Sequence, residues 1–287
     1  MKAAILVVYT CIYKYSLPAM QTFEFTQGSA PLLVSLPHSG LELPAELLVD
    51  MTDVAHELAD TDWHVEKLYD FAGELGASVI RPKASRYVID LNRPPDNAEL
   101  YPGANGTELC PTSTFADEPL YKEGRQPSAA DIEQRLQSWW QPYHQQLQAE
   151  LQRIKSVHGC AILFEAHSIR SLVPRLFEGR LPDLNIGTAS GNSCARTMLA
   201  VVEALLRDQQ EYSCVFNQRF KGGYITRAYG DPGQGVHAIQ LELSQRLYME
   251  EELPFTYLPE QAAQLQPLLR HILERLIQWG LEEAQTS

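Results

Sequence analysis

The stretch that most constrains this chain is Gly159-Cys-Ala-Ile-Leu-Phe-Glu-Ala-His-Ser-Ile-Arg170. An apolar run from Cys160 to Phe164, bounded by glycine, is the signal of a strand buried on both faces of a parallel sheet. Ligands bind at the carboxyl ends of the strands in open α/β sheets, so Glu165, His167 and Ser168 are candidates for chemistry rather than solubility. Strand alternation puts Leu163, Glu165 and His167 on one face, an acid beside an imidazole. A lone histidine at such a junction is more simply a hydrogen-bonded structural residue. What raises this one is that polar strand ends recur along the chain.

Pro31-Leu-Leu-Val-Ser-Leu36 reads as a second buried strand, and it runs into Pro37-His38-Ser39-Gly40. Gly40 and Pro44 mark a turn there, which leaves His38 at a strand end. The spacing of Leu58, Asp62, Val65, Tyr69 and Ala72 predicts one helix from Asp53 to Leu75, closed by Gly76, with Asp62 on its apolar side. A carboxylate so placed needs a cation. His56, Asp60 and His64 fall on the opposite side of that helix, as a rival metal-binding trio or as a solvated face. His56-Glu57 lacks the second histidine that would complete a zinc-protease motif. Ala77 to Pro82 reads as another strand and Ser85 to Arg93 as the next, with Asp90, Asn92 and Arg93 at its end before Pro94-Pro95. An arginine beside an asparagine can grip a carboxylate with two parallel hydrogen bonds, although a surface ion pair is the plainer alternative. His237 to Ser244 reads as the last strand, with Glu242 at its end.

The remainder supplies scaffold. Residues 96–127 look like a long loop, and Ser128 with Asp131 predicts a capping box opening an amphipathic helix through Trp139, Trp140, Tyr143, Leu147, Leu151 and Ile154. Residues 171–188 read as a loop and a strand, a further strand is expected at 213–217, and helices at 192–207 and 259–280. The segments 220–227 and 229–236 read as a glycine-containing loop that could close near a ligand. This alternation predicts an α/β protein with a mixed, mostly parallel central sheet flanked by helices on both faces. We expect one domain over residues 20–287. Residues 1–19 imitate a secretion signal but lack its cleavage site, so they are expected to be a disordered leader or a mis-assigned start, with Met20 as the alternative.

Net charge narrows the partners. A formal charge of -13 over 287 residues argues against a nucleic-acid or anionic-membrane surface, since both require a clustered positive field. A small anionic substrate stays possible if a few arginines converge in one pocket. The five cysteines are widely spaced and form no Cys-x-x-Cys pair, so a disulfide framework is not expected and a reducing cytoplasm fits.

His38, Asp62 and His167 together give two imidazoles and one carboxylate, the ligand set of a catalytic zinc with a position left open. Glu242 would then be the general base or acid and Arg93 the carboxylate clamp. A covalent route is less well supported. Gly187-Thr-Ala-Ser-Gly191 does not have the spacing of a nucleophile elbow, and Cys160 lies inside a buried strand.

Taken in order, Leu36-Pro-His-Ser-Gly40, Thr61-Asp-Trp63, Asp90-Leu-Asn-Arg93, His167-Ser-Ile-Arg170, Pro174 to Thr188, and Gln240-Leu-Glu-Leu243 resemble the N-formylglutamate amidohydrolase (deformylase) family over about residues 30 to 250. That resemblance implies a zinc-exopeptidase fold like that of carboxypeptidases. It also implies substrate-carboxylate binding by Asn92 and Arg93, zinc ligation by His167, and acid–base catalysis by Glu242. Two departures matter. Carboxypeptidases carry a His-x-x-Glu pair, whereas here Glu42 falls one position late, so Asp62 is preferred as the middle ligand over Asp60 and Glu42. Glu165 stands where an aspartate is usual, and can still support His167 or serve as the alternative base. The implied reaction is hydrolysis of N-formyl-L-glutamate to formate and L-glutamate, the last step of a histidine-degradation route. A second carboxylate would require Arg170, Arg175 or Arg227. The rival readings are hydrolysis of another N-acyl amino acid or short peptide, and a metal-free carboxylate-binding protein.

Overall fold

A computed structural model of the chain describes residues 21–99 and 106–286, so the expected leader lies outside the described residues. Seven strands form one sheet in the order β1-β3-β2-β4-β7-β5-β6. They are β1 Phe23–Thr26, β2 Leu32–Ser35, β3 Ser78–Pro82, β4 Ala161–Ile169, β5 Leu184–Gly187, β6 Cys214–Phe216 and β7 Val236–Ser244. The neighbours β3, β2, β4 and β7 are mutually parallel. At one edge β1 adds antiparallel to β3; at the other β5 runs antiparallel to β7 and carries β6 parallel to itself. The sheet is mixed and mostly parallel, as the alternation of strands and helices predicts.

The helices are α1 Ala45–Leu48, α2 Asp53–His56, α3 Val65–Leu68, α4 Ala129–Arg135, α5 Gln141–His158, α6 Arg196–Asp208, α7 Tyr224–Tyr229 and α8 Pro259–Thr286. Strand alternation sorts the central side chains onto two cores. Leu32, Val34, Ile162, Phe164, Ile239 and Leu241 pack against Met198 and Val202 of α6 and Leu269, Leu273 and Leu276 of α8. Leu33, Leu163 and Ala238 face the other way, onto Tyr143, Leu147, Leu151 and Ile154 of α5. Each such side chain contributes about 1.5–3 kcal/mol by leaving water, so both helical layers are held firmly to the sheet. Glu165, His167, Gln240 and Glu242 share the parity of Leu163 and Ala238 and therefore lie on the α5 side.

The rod over α5 starts as expected. Ser128 Oγ accepts from Asp131 N while the Asp131 carboxylate accepts from Ser128 N, a complete capping box. A π turn at Leu136–Trp140 joins α4 to α5, and Gly159 ends the rod in the left-handed region (φ 80). One extra residue in that turn rotates everything after it, which is why Trp140 and His144 come to face the loop beyond β3.

Three expectations change. The helix expected over Asp53–Leu75 is broken into α2, α3 and a 3₁₀ turn at Asp70–Ala72, with Leu58 (φ 52) and His64 (φ 61) left-handed between them. Tertiary bonds replace the helical ones: Asp62 N donates to His38 O at 3.1 Å, and Trp63 Nε1 donates to Leu58 O at 3.1 Å. The strand expected over Ser85–Arg93 is a series of turns. Asp90 N donates to Leu109 O, and the Asp90 carboxylate accepts from Asn92 N at 2.9 Å, so this side chain competes with any ladder. Segment 220–227, read as loop, contains the start of α7.

Candidate active site

Three strand ends and one turn converge. In the parallel pair of β4 and β7, His167 stands opposite Glu242 and Glu165 opposite Gln240, while Ser35 at the end of β2 stands opposite Glu165. His38 follows β2 directly. Asp62 arrives from the broken segment, and its Oδ2 accepts from Ser168 N at 3.2 Å. His38, Asp62 and His167 are all buried, and one donor atom from each lies within 4.8 Å of the others.

Both imidazoles are held the same way. Nδ1 of each faces Asp62 Oδ2, at 3.0 Å for His167 and 3.8 Å for His38. Nε2 of each meets another buried carboxylate, Asp90 at 2.6 Å from His38 and Glu165 at 2.8 Å from His167. A carboxylate on the far nitrogen fixes the tautomer and turns the near nitrogen into a lone-pair donor, the arrangement that metal-binding histidines need. Donors around a tetrahedral zinc at about 2.0–2.1 Å stand about 3.3–3.4 Å apart, a spacing the two measured separations bracket. Two imidazoles and a carboxylate, each buried and backed, therefore fit a divalent cation.

Electrostatics agrees with that fit. Burial lowers the His38 pKa, with Arg86 adding to the effect. Burial would lower His167 too, but the Glu165 and Asp62 carboxylates outweigh it and hold His167 well above its usual value. The negative field that keeps a proton on His167 is one that would also hold a dication. Burial likewise works to raise Asp90, yet His38 and Arg86 overcome it and hold Asp90 well below the carboxylate range. Glu242 is pushed up to about 8, first by burial and further by Asp62 and Glu165. It thus sits near neutrality, where a proton shuttle works best.

The cluster opens on a cavity of about 80 Å³, lined by His38, His167 and Glu242 together with Arg86, Asn92, Arg93, Phe115, Arg219 and Phe220. That is room for a few waters or the reacting end of a small molecule. Asn92 Oδ1 accepts from Ile225 N at 2.9 Å, which orients the amide and brings Nδ2 within 3.0 Å of His167 Nε2. A Cβ on Gly223 would lie 2.3 Å from that Nδ2, so only glycine lets α7 start so close to Asn92. Arg93 is braced through Nε to Thr107 O at 3.0 Å and through Nη2 to Thr107 Oγ1 at 2.9 Å. Glu165 Oε2 accepts from Thr226 N at 3.0 Å and from the Thr226 hydroxyl, which explains why it backs His167 rather than lining the cavity.

Other residues singled out in the sequence lie elsewhere. Among the described residues lining the cavity, Arg170, Arg175 and Arg227 are missing. Arg170 pairs with Asp60 at 3.3 Å, Arg175 reaches Ser113 Oγ and Thr114 O, and Arg227 Nε donates to Gly222 O. Asp60 is buried, not on a solvated face, and accepts from Phe115 N. His56 and Glu42 are exposed, and His64 Nε2 meets Phe255 O at 2.8 Å, so neither the outer trio nor Glu42 joins the cluster. The sequence reading missed Arg86 and Arg219. Arg86 lies four residues before Asp90 and pairs with it at 2.7 Å, a signal open to a turn reading but hidden by the strand reading.

Buried acids, imidazoles and arginines gathered at the carboxyl ends of parallel strands, beside a small cavity, define a hydrolase built on an α/β sheet. The N-formylglutamate amidohydrolase family model matches residues 30–249. N-formylglutamate deformylase of Pseudomonas putida is 48% identical over 265 residues, covering 92% of this chain and 99% of that protein. The Pseudomonas aeruginosa enzyme of the same name is 48% identical over 262 residues, 91% of this chain and 98% of its own. The solved N-formylglutamate amidohydrolase of Ralstonia eutropha JMP134 superposes with a TM-score of 0.74 at 25% identity, covering 92% of this chain and 97% of that one. The chain belongs to the N-formylglutamate amidohydrolase family.

Proposed function

We propose that the protein hydrolyses N-formyl-L-glutamate to formate and L-glutamate as a metal-dependent amidohydrolase. The observation that carries this reading is the convergence of His38, Asp62 and His167, each imidazole backed by its own carboxylate, on a cavity that also contains Glu242 and Arg93. The names of the Pseudomonas relatives support the substrate. A zinc or similar divalent ion held by the three side chains would polarise a carbonyl and make water more acidic.

The chain's own groups do the rest. Glu242 takes a proton from the attacking water and passes it to the departing amine, leaving formate and a free amino acid. Its raised pKa suits it to both halves of that transfer. Asn92 and Arg93 hold the carboxylate next to the scissile amide. Glu165 and Asp90 keep the two imidazoles in one tautomer. Such a reaction would complete a histidine-degradation route, and the wide spacing of the cysteines, with no Cys-x-x-Cys pair, supports a reducing, cytoplasmic setting. No helix among the described residues is long and apolar enough to cross a membrane.

The test is formate release by the purified protein on a panel of N-acyl amino acids, before and after chelation and after zinc is restored. Activity should be highest on formyl substrates with an acidic side chain, vanish with chelator and return with zinc. Elemental analysis of His38→Ala and His167→Ala should find the metal lost; full retention in both would sink the site.

A further inference from the structure

The cavity contains a cation that the reaction as written leaves without a task. We propose that Arg219 is the specificity-determining residue that holds the γ-carboxylate of the substrate, an inference that rests on the dicarboxylate reading above. A glutamate skeleton brings two anionic ends into the site, and a protein of charge -13 repels such a dianion at long range. Both ends therefore need short-range cations within the cavity wall. Among the described lining residues the arginines are Arg86, Arg93 and Arg219, and no lysine is present.

Arg86 is already committed. It is 6% exposed, pairs with Asp90 at 2.7 Å, donates to Asp60 O and lies 4.9 Å over the Phe115 ring. Its charge serves to hold Asp90 ionised behind His38. Arg93 belongs to the reacting end, because Asn92, its neighbour, stands 3.0 Å from His167. The carboxylate it takes must be the one next to the scissile amide, the α-carboxylate.

Arg219 comes from a different part of the chain, the segment after β6. Its Nε donates to Leu176 O, on the loop beyond β4, and its guanidinium carbon lies 5.2 Å over the Phe220 ring. Anchored by Nε and by the ring, the side chain is held in the cavity wall by a segment separate from the turn that carries Asn92 and Arg93. That is where the far end of a glutamate side chain, two methylenes beyond the α-carbon, would have to go. Arginine suits the task because its planar fork matches a carboxylate.

The experiment compares wild type, Arg219→Gln and Arg219→Lys on N-formyl-L-glutamate and on N-formyl-L-glutamine, whose side chain is the uncharged amide. On the diacid, Arg219→Gln should lower kcat/KM by about 10- to 100-fold, mostly through KM, the range for a lost charge-assisted hydrogen bond. On the amide the same variant should lose less than about threefold, since that contact was never made there. Arg219→Lys should recover part of the diacid rate. Equal losses on both substrates, in both variants, would overturn this inference alone and make Arg219 a wall residue. Absence of formate from every substrate with wild-type protein would overturn the activity and the inference together.

Discussion

The turn Asp90–Arg93 is gripped from two sides by two very different groups of side chains. On one side its side chains enter the polar cluster, Asp90 meeting His38 and Arg86 and Asn92 meeting His167. On the other its carbonyls are held by α5 and the π turn before it: His144 Nε2 meets Leu91 O at 2.9 Å, and Trp140 Nε1 donates to Arg93 O at 3.0 Å. Each side contains a fully engaged buried imidazole, 2% exposed at His167 and 4% at His144. Yet their pKa values move in opposite directions. His144 lies among Trp140, Tyr143, Tyr224 and Tyr229 and is lowered to about 3 by burial, with no carboxylate to offset it. His167 faces two carboxylates and is raised. Burial alone makes a histidine neutral scaffold; burial with acids makes it able to hold positive charge.

The strongest way to break this comparison is on the polar side. Glu242→Gln keeps the shape of the side chain and removes the proposed proton shuttle, so kcat should fall by about 100- to 10,000-fold while metal content matches that of wild type. Steady-state kinetics with metal analysis checks it. Near-normal turnover would mean the base lies elsewhere, with Glu165 the next to test.

On the scaffold side the effect should be smaller and of another kind. Trp140→Phe keeps the ring stacked on His144 but removes the donor to Arg93 O, leaving a carbonyl unsatisfied at a cost of about 1–3 kcal/mol in stability. Because Arg93 would be less well aimed, KM for the diacid should rise by about tenfold with kcat changed less. A urea titration together with kinetics separates the two consequences. If kcat collapses with KM unchanged, the π turn supports the acid–base cluster rather than the carboxylate clamp.

How much of this was legible depends on whether a feature is local. The sheet could be read because β2, β4 and β7 are short apolar runs, and the positions of His38, His167 and Glu242 follow from where those runs stop. Helical spacing puts Asp62 inside for the wrong reason. No helix face buries it; a bond from its own N–H to His38 O pulls it in. Asp90 reads as a strand end because Tyr87, Val88, Ile89 and Leu91 look like a strand. All four are buried, since the segment is wrapped on every side, so period-2 alternation carried no information there. Arg219 had no local signature at all: what distinguishes it is a loop from after β4 meeting a loop from after β6. The π turn was equally hidden, because one extra residue in a helix leaves the apolar pattern nearly intact.

The most delicate test concerns His144 as a neutral element of the scaffold. Its folded pKa of about 3 lies below the unfolded value of about 6.5, so only the unfolded chain binds its proton between those limits. Its contribution to stability is therefore fully present above pH 6.5 and is lost as pH falls toward 3. The loss is on the order of 1 kcal/mol at pH 5.5 and on the order of 3 kcal/mol at pH 4.5. Other groups titrate in the same window: His38 in the same direction and His167 in the opposite one. The informative quantity is thus the difference between wild type and His144→Gln, which removes the titration and retains an amide able to donate to Leu91 O. The rings around His144 stay uncharged in acid, so nothing facing it changes with pH over this range. In urea melts from pH 7.5 to 4.5 the wild-type advantage should shrink by on the order of 1 kcal/mol per pH unit below 6.5. Parallel stability curves for the two proteins would mean that His144 can take a proton in the folded state, and the contrast between the two buried imidazoles would fall.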